Sequence, residues 1–184
     1  MISIVGFFLL NNILVGDKTP TPAEVLNNLD LLVTETFKQN EDNSKLKDGM
    51  DLVICRIDHE KNIFESAGAN RPVYVINKEG NLEEIKGDKF PIGGGSSYTN
   101  KTSFSNFKKN IIQGDGFYFF SDGLPDQFNE ESTQKLGTRI IKDILKSNHG
   151  KDIKLVEKRL DEKFLEWKGS NNQTDDILFI GMVF

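Results

Sequence analysis

The segment "FYFFSDGLPDQFN", residues 117–129, decides how the rest of the sequence is interpreted. A run of aromatic residues, typical of a buried strand, leads directly into Asp122 and Gly123. Glycine permits a sharp turn, so this strand would end with Asp122 at the rim of a sheet. A second acidic turn, Asp175–Asp176, introduces the last apolar stretch of the chain. If the two strands are neighbours, their carboxylates converge at one rim.

Converging carboxylates repel each other unless a cation lies between them. Oxygen ligands suit Mg²⁺ or Mn²⁺, and such an ion can activate a water molecule and neutralise a phosphate. The residues alone favour the simpler alternative, because Asp-Gly is a common turn signal. Asp175 and Asp176 would then only end a loop. Asp126 either extends the acidic rim or caps the following turn.

Composition narrows the possible functions. The chain has 184 residues, 37% of them hydrophobic, which suits one domain with a real core. Its net charge of -5 argues against binding a nucleic-acid backbone. One cysteine and two histidines exclude a disulfide framework and a thiolate zinc site, so any metal site must use oxygen ligands. This cysteine usage fits a reducing compartment, and we expect a cytoplasmic protein.

The N-terminal segment "MISIVGFFLLNNILV", residues 1–15, is strongly apolar. It lacks the basic residues that open a signal peptide. It is also shorter than the roughly 20 apolar residues that a membrane span needs. We therefore predict a helix buried on most of its surface. Because termini are normally polar and frayed, this opening suggests that sequence upstream is missing.

Local signals predict an α+β fold with antiparallel sheets and helix pairs before and after them. Thr21, Pro22 and Glu24 form the start signal of a helix with a capping box. Periodicity and turn residues predict the remaining elements. The predicted strands are 52–57, 63–67, 73–76, 104–112 (an edge strand) and 116–120 (a central strand), followed by a last apolar strand that also looks central. Two further helices are predicted at 138–148 and 151–168. Polar and glycine-rich loops are predicted at 41–49 and 89–103.

Taken in order, several segments resemble the SpoIIE-like branch of the metal-dependent protein serine/threonine phosphatases, the PPM or type 2C family. The segments are "MISIVGFFLLNNILV" with "TPAEVLNNLDLLVTETFKQ", "DGMDLVICRID", "FESAGANRPVYVI", "FPIGG", "FYFFSDGLPDQFN" and "FLEWKGSNNQTDDILFIGMVF". No single segment is decisive, but the ordered set is specific and spans essentially the whole chain.

The resemblance implies an α-β-β-α sandwich and a Mn²⁺ or Mg²⁺ centre. It assigns Asp122, with Gly123 beside it, and Asp175 to the metal, and it places Asp176 and Asp126 as outer ligands or supporting residues. The reaction would be attack of a metal-activated water on a phosphoserine or phosphothreonine, without a phosphoenzyme. The implied substrate is a phosphorylated regulatory protein, such as an anti-sigma-factor antagonist. From charge and composition we expect no nucleic-acid partner and no membrane contact by this chain.

The sequence also departs from the family pattern. The family carries a Gly-Asp motif and an Asp-x-x-Gly-His-Gly motif before its helix pair, and neither is present here. Ala69 stands where the family usually has histidine. We therefore expect residues 1–184 to form a single, partial, N-terminally truncated domain that is inactive or weakly active alone. The alternative is a degenerate, non-catalytic module that binds a signalling partner. Uncovered sheet edges would favour homo-oligomers.

Overall fold

The computed structural model describes residues 2–15, 19–37, 49–94 and 102–184. Residues 41–48 and 95–101, which belong to the two predicted loops, lie outside this description. The described residues form four helices and nine strands, and the paired strands with a recorded register are antiparallel. The chain divides into two compact units: Met1–Val73 with Ile85–Ile111, and Tyr74–Glu84 with Ile112–Phe184.

The first unit combines a helix pair with small antiparallel sheets. Its core is formed by Leu26, Leu29 and Val33 of the second helix, packed with Ala67 and Ile92. The strand orders are β1-β6 and β2-β3-β7. The elements are α1 (Ile2–Leu14), α2 (Pro22–Thr36), β1 (Gly49–Met50), β2 (Leu52–Asp58), β3 (Ile63–Ala69), β6 (Ile92–Gly93) and β7 (Phe107–Asn110).

The second unit is a four-stranded sheet covered by two helices, with the strand order β5-β4-β8-β9. Tyr74 and Tyr118 of the sheet pack with Ile141, Leu145 and other buried side chains of the helices. The elements are β4 (Val73–Ile76), β5 (Leu82–Ile85), β8 (Gly116–Phe120), α3 (Gly137–Ser147), α4 (Ile153–Lys168) and β9 (Phe179–Val183); the end residues Val73 and Ile85 of β4 and β5 are counted with the first unit.

Helix α2 begins at the predicted capping box. The Thr21 hydroxyl accepts a hydrogen bond from the Glu24 N–H at 3.3 Å, and the Thr21 N–H donates to the Glu24 carboxylate at 2.7 Å. Two N–H groups that helix geometry leaves without partners are thereby satisfied. The predictions of an α+β class, of β4 at 73–76 and of β8 at 116–120 are confirmed. The predicted edge strand is β7, which is shorter than expected.

The predicted burial of α1 is wrong. Gly6 is the buried residue of this helix, whereas the side chains of Ile4, Phe7 and Phe8 are 65%, 62% and 62% exposed. The opposite side of the helix, including Leu9 and other partly buried side chains, packs against the core of the first unit. An apolar sequence favours burial, but a helix buries only the faces that neighbouring elements cover. Among the described residues, no helix is long and apolar enough to cross a membrane.

The last strand was predicted to be central, and this is also wrong. Within the described residues β9 lies at the edge of its sheet, and Leu178 and Ile180 are 58% and 38% exposed. An apolar run predicts a strand, but it does not specify how many neighbours that strand has.

Candidate metal centre

Strand pairing brings the two acidic turns to one end of the second unit's sheet. β8 and β9 are antiparallel neighbours, with Phe120 opposite Phe179. Asp122 follows the end of β8, and Asp175–Asp176 precede the start of β9. Because antiparallel strands run in opposite directions, the end of one lies beside the start of the other. The two strands are therefore neighbours, which is the condition on which the expected convergence of the two turns depends.

Ser121 joins the two turns by hydrogen bonds. Its hydroxyl donates to the Asp176 carbonyl at 2.9 Å and accepts from the Leu178 N–H at 2.8 Å. Its own N–H donates to the Leu178 carbonyl at 2.9 Å. One serine thus fixes the segment that leads from the second acidic turn into β9. Sequence reasoning missed this residue, although it directly precedes the Asp-Gly pair.

Gly123 is buried where its segment lies against the backbone of the second acidic turn. A Cβ atom at this position would lie 2.4 Å from the Asp176 carbonyl oxygen and 3.1 Å from the Asp175 carbonyl oxygen. Both contacts are with backbone, which cannot move aside as a flexible side chain can. The Asp126 N–H donates to the Asp122 carbonyl at 2.9 Å, which closes the turn after β8.

The acidic side chains of this region differ in their surroundings. Asp122 is half-buried, whereas Asp175 and Asp176 are exposed. The Asp175 carboxylate accepts a hydrogen bond from the Asp176 N–H at 2.7 Å. Asp126 forms an ion pair with Lys135, with 3.0 Å between Oδ2 and Nζ. Asp126 therefore already has a cationic partner, and its role towards a metal stays a prediction.

The donors at this rim fit a hard divalent cation in type, since Asp122 and Asp175 supply carboxylate oxygens. Their number is small. In the described ranges, no group of three or more His, Cys, Asp or Glu side chains is arranged to hold a metal ion. The carboxylate oxygens of Asp122 and Asp175 are thus of the type that Mg²⁺ or Mn²⁺ prefers, and the metal site itself stays a prediction.

The single cysteine does not offer an alternative nucleophile. Cys55 lies in the middle of β2, and burial raises the pKa of its thiol to about 12. The thiolate is the reactive form, and it is scarce at neutral pH when the pKa is this high. This agrees with the expectation that Cys55 is a packing residue.

The described residues combine antiparallel sheets with four helices, and solved structures of PP2C-type phosphatase domains match almost the whole chain. The SiaA-PP2C domain of Pseudomonas aeruginosa matches with a TM-score of 0.82 and 22% identity over 100% of this chain and 69% of that chain. The RsbU and RsbW domains of Rv1364c from Mycobacterium tuberculosis match with a TM-score of 0.73 and 16% identity, over 99% of this chain and 46% of that chain.

The catalytic domain of the serine/threonine protein phosphatase PstP, in complex with 2 manganese ions, matches with a TM-score of 0.59 and 16% identity. That match covers 99% of this chain and 79% of the PstP chain. The profile of the stage II sporulation protein E (SpoIIE) family matches residues 8–183, and the chain belongs to this family. A search of curated proteins found no match.

Proposed function

We propose that this chain is a metal-dependent protein serine/threonine phosphatase domain that acts on a phosphorylated regulatory protein. One observation carries the proposal: the Asp122–Gly123 turn lies against the backbone of Asp175–Asp176, and Ser121 holds the two together. Membership of the SpoIIE family supports the class of enzyme.

Each residue of the rim has a distinct part in this proposal. Asp122 and Asp175 would hold Mn²⁺ or Mg²⁺ through their carboxylate oxygens, and Gly123 lets their segments approach. Asp176 would orient ligands from an outer position. Asp126, which is paired with Lys135, would support the centre from an outer position. When bound, the cation supplies a Lewis acid that neutralises a phosphate and activates water.

We expect the activity of the isolated chain to be low. Metal affinity depends on the number and charge of the ligands, and two carboxylates make a weak site. The dissociation constant for Mn²⁺ should therefore be on the order of 1 mM.

The test is a calorimetric Mn²⁺ titration of the purified chain, together with hydrolysis of an aryl phosphate. We expect weak Mn²⁺ binding that Asp122→Asn abolishes, because the substitution removes one of two charged ligands. Asp143→Asn is the matched control, since it neutralises an exposed carboxylate on α3 without touching the rim. No binding of Mn²⁺ at millimolar concentration, or equal binding by both variants, would refute the proposal.

A second candidate function is a non-catalytic module that binds a signalling partner. The exposed apolar side chains of α1, including Phe7 and Phe8, favour it because large exposed apolar surfaces mark interaction sites. Hydrolysis that depends on Mn²⁺ and is lost in Asp122→Asn supports the enzyme. A folded chain without Mn²⁺ binding supports the module.

A further inference from the structure

We infer that Gln127 is a positioning residue for the candidate metal centre, fixing Asp175 through the segment that precedes it. The inference rests on the proposed function and adds a residue to it. It follows from one juxtaposition: the side chain of Gln127, in the turn after β8, bonds to the backbone on the N-terminal side of Asp175.

The side chain of Gln127 is fully buried, with 0% of its surface exposed. Its amide nitrogen donates to the Phe128 carbonyl and to the Asn172 carbonyl, both at 3.1 Å. Its amide oxygen accepts from the Thr174 N–H at 3.2 Å. A glutamine amide has two N–H donors and one carbonyl acceptor, and all three groups are used here.

The backbone of Gln127 is itself held from two sides. Its carbonyl accepts from the Trp167 indole N–H at 3.2 Å and from the Leu136 N–H at 2.9 Å. These donors lie near the end of α4 and just before α3. The backbone of Gln127 is therefore fixed relative to the helices of its unit. Because of this, the hydrogen bonds of its side chain hold the segment before Asp175 in a defined position.

The residues that Gln127 bonds to lie just before Asp175, in the irregular segment between α4 and β9. Asn172 and Thr174 are exposed, so packing against the core does little to hold them. Ser121 holds the other side of Asp175 through the Asp176 carbonyl. Gln127 and Ser121, on either side of Asp122 in sequence, thus hydrogen-bond to the opposite segment before and after Asp175. These hydrogen bonds set the spacing between the two carboxylate-bearing turns.

Metal affinity is sensitive to groups that orient the ligands, and losing one typically weakens binding about 10- to 100-fold. Gln127→Met keeps a side chain of similar length and removes every hydrogen bond that the amide makes. We expect this variant to fold but to bind Mn²⁺ at least about tenfold more weakly than the parent. We also expect faster hydrogen exchange at the Thr174 amide, which loses its acceptor.

The matched control is Gln134→Met, which makes the same chemical change at an exposed position nearby. It should leave both the Mn²⁺ affinity and the Thr174 exchange rate unchanged. Circular dichroism and urea unfolding show whether each variant is folded. A purely structural role would lower the stability of Gln127→Met without changing the Mn²⁺ affinity of its folded state.

The outcomes separate this inference from the proposed function. If the parent binds no Mn²⁺, both are overturned. If the parent binds and folded Gln127→Met binds equally well, or exchanges Thr174 at the parent rate, only the role of Gln127 is overturned. Should Gln127→Met fail to fold, Thr174→Pro changes an exposed residue and removes the N–H that donates to the Gln127 amide oxygen. Parent-like Mn²⁺ affinity in that variant also overturns the inference.

Discussion

At the scale of single residues, the approach of the two acidic turns depends on Gly123 having no side chain. Gly123→Ala would place a carbon 2.4 Å from a backbone oxygen that is held by Ser121. Overpacking of this kind costs about 1–3 kcal/mol of stability. We expect the variant to unfold at lower urea concentration and to lose Mn²⁺ binding, since the two segments must separate.

Gly150→Ala provides the comparison for Gly123→Ala. No heavy atom lies within 4 Å of a Cβ at position 150, but the backbone there has φ +76°. Alanine in this left-handed conformation costs about 1–2 kcal/mol. This variant should therefore lose stability and retain Mn²⁺ binding. Equal loss of Mn²⁺ binding in both variants would show that a general loss of stability, rather than the close approach at Gly123, is responsible.

The candidate ligands could be selected from the sequence, but the residues that hold them could not. Asp122, Gly123 and Asp175 stand out because acidic pairs and Asp-Gly turns beside apolar runs are local patterns. Ser121 and Gln127 act on segments about 50 residues away, and such hydrogen bonds leave no local trace in the sequence. The sequence does not distinguish a buried glutamine from an exposed one, because burial depends on the tertiary fold.

At the scale of elements, the capping box of α2 shows how a short motif fixes the start of a helix. Thr21→Ala removes the hydroxyl that accepts from the Glu24 N–H. Loss of such a cap destabilises a protein by about 1 kcal/mol. Urea unfolding should show a decrease of this size. Thr34→Ala, within the same helix, is the control and should change the stability little; an equal decrease in both variants would argue against the cap.

The existence of α1 and β9 was predicted correctly, whereas their surroundings were not. Hydrophobic periodicity and apolar runs are properties of a single segment, so they report helix or strand directly. Burial depends on which other segments pack against an element. Local sequence patterns therefore could not predict that Phe7 and Phe8 of α1 and Ile180 of β9 are exposed.

At the scale of the whole molecule, the exposed strand β9 bears on self-association. Residues 177–184 contain no charged side chain, and charges are a common protection of edge strands. We expect the chain to associate as its concentration rises, and Ile180→Lys to reduce this association by placing a charge on the strand. Sedimentation velocity over a range of concentrations measures the effect.

Leu165→Lys is the control for that experiment, because Leu165 is 54% exposed but lies on α4. It adds the same charge to the same unit without touching the sheet. If both substitutions reduce association equally, net charge is the cause and not the edge of β9. If the parent is monomeric at all concentrations, the edge does not mediate association.

The ordered set of motifs, rather than any one of them, made the fold predictable at this scale. Each segment is weak evidence alone, but seven of them in the family's order leave few other folds, and the SpoIIE match over residues 8–183 confirms that resemblance. The division into two compact units was not predicted. It depends on the density of contacts between distant segments, which composition and periodicity do not record.

If the proposed metal centre binds an ion, the position of β9 would couple the occupancy of that centre to the pairing of the last strand with its sheet. Asp175 would bind an ion just before β9. After the other end of the strand, the Phe184 N–H donates to the Asp115 carbonyl at 3.1 Å. Separation of β9 from the sheet would displace Asp175, one of the two charged ligands. By thermodynamic linkage, an ion at a concentration equal to its dissociation constant would oppose that separation by about 0.4 kcal/mol. A bound divalent ion would then stabilise the pairing of β9 with its sheet, in addition to any catalytic role.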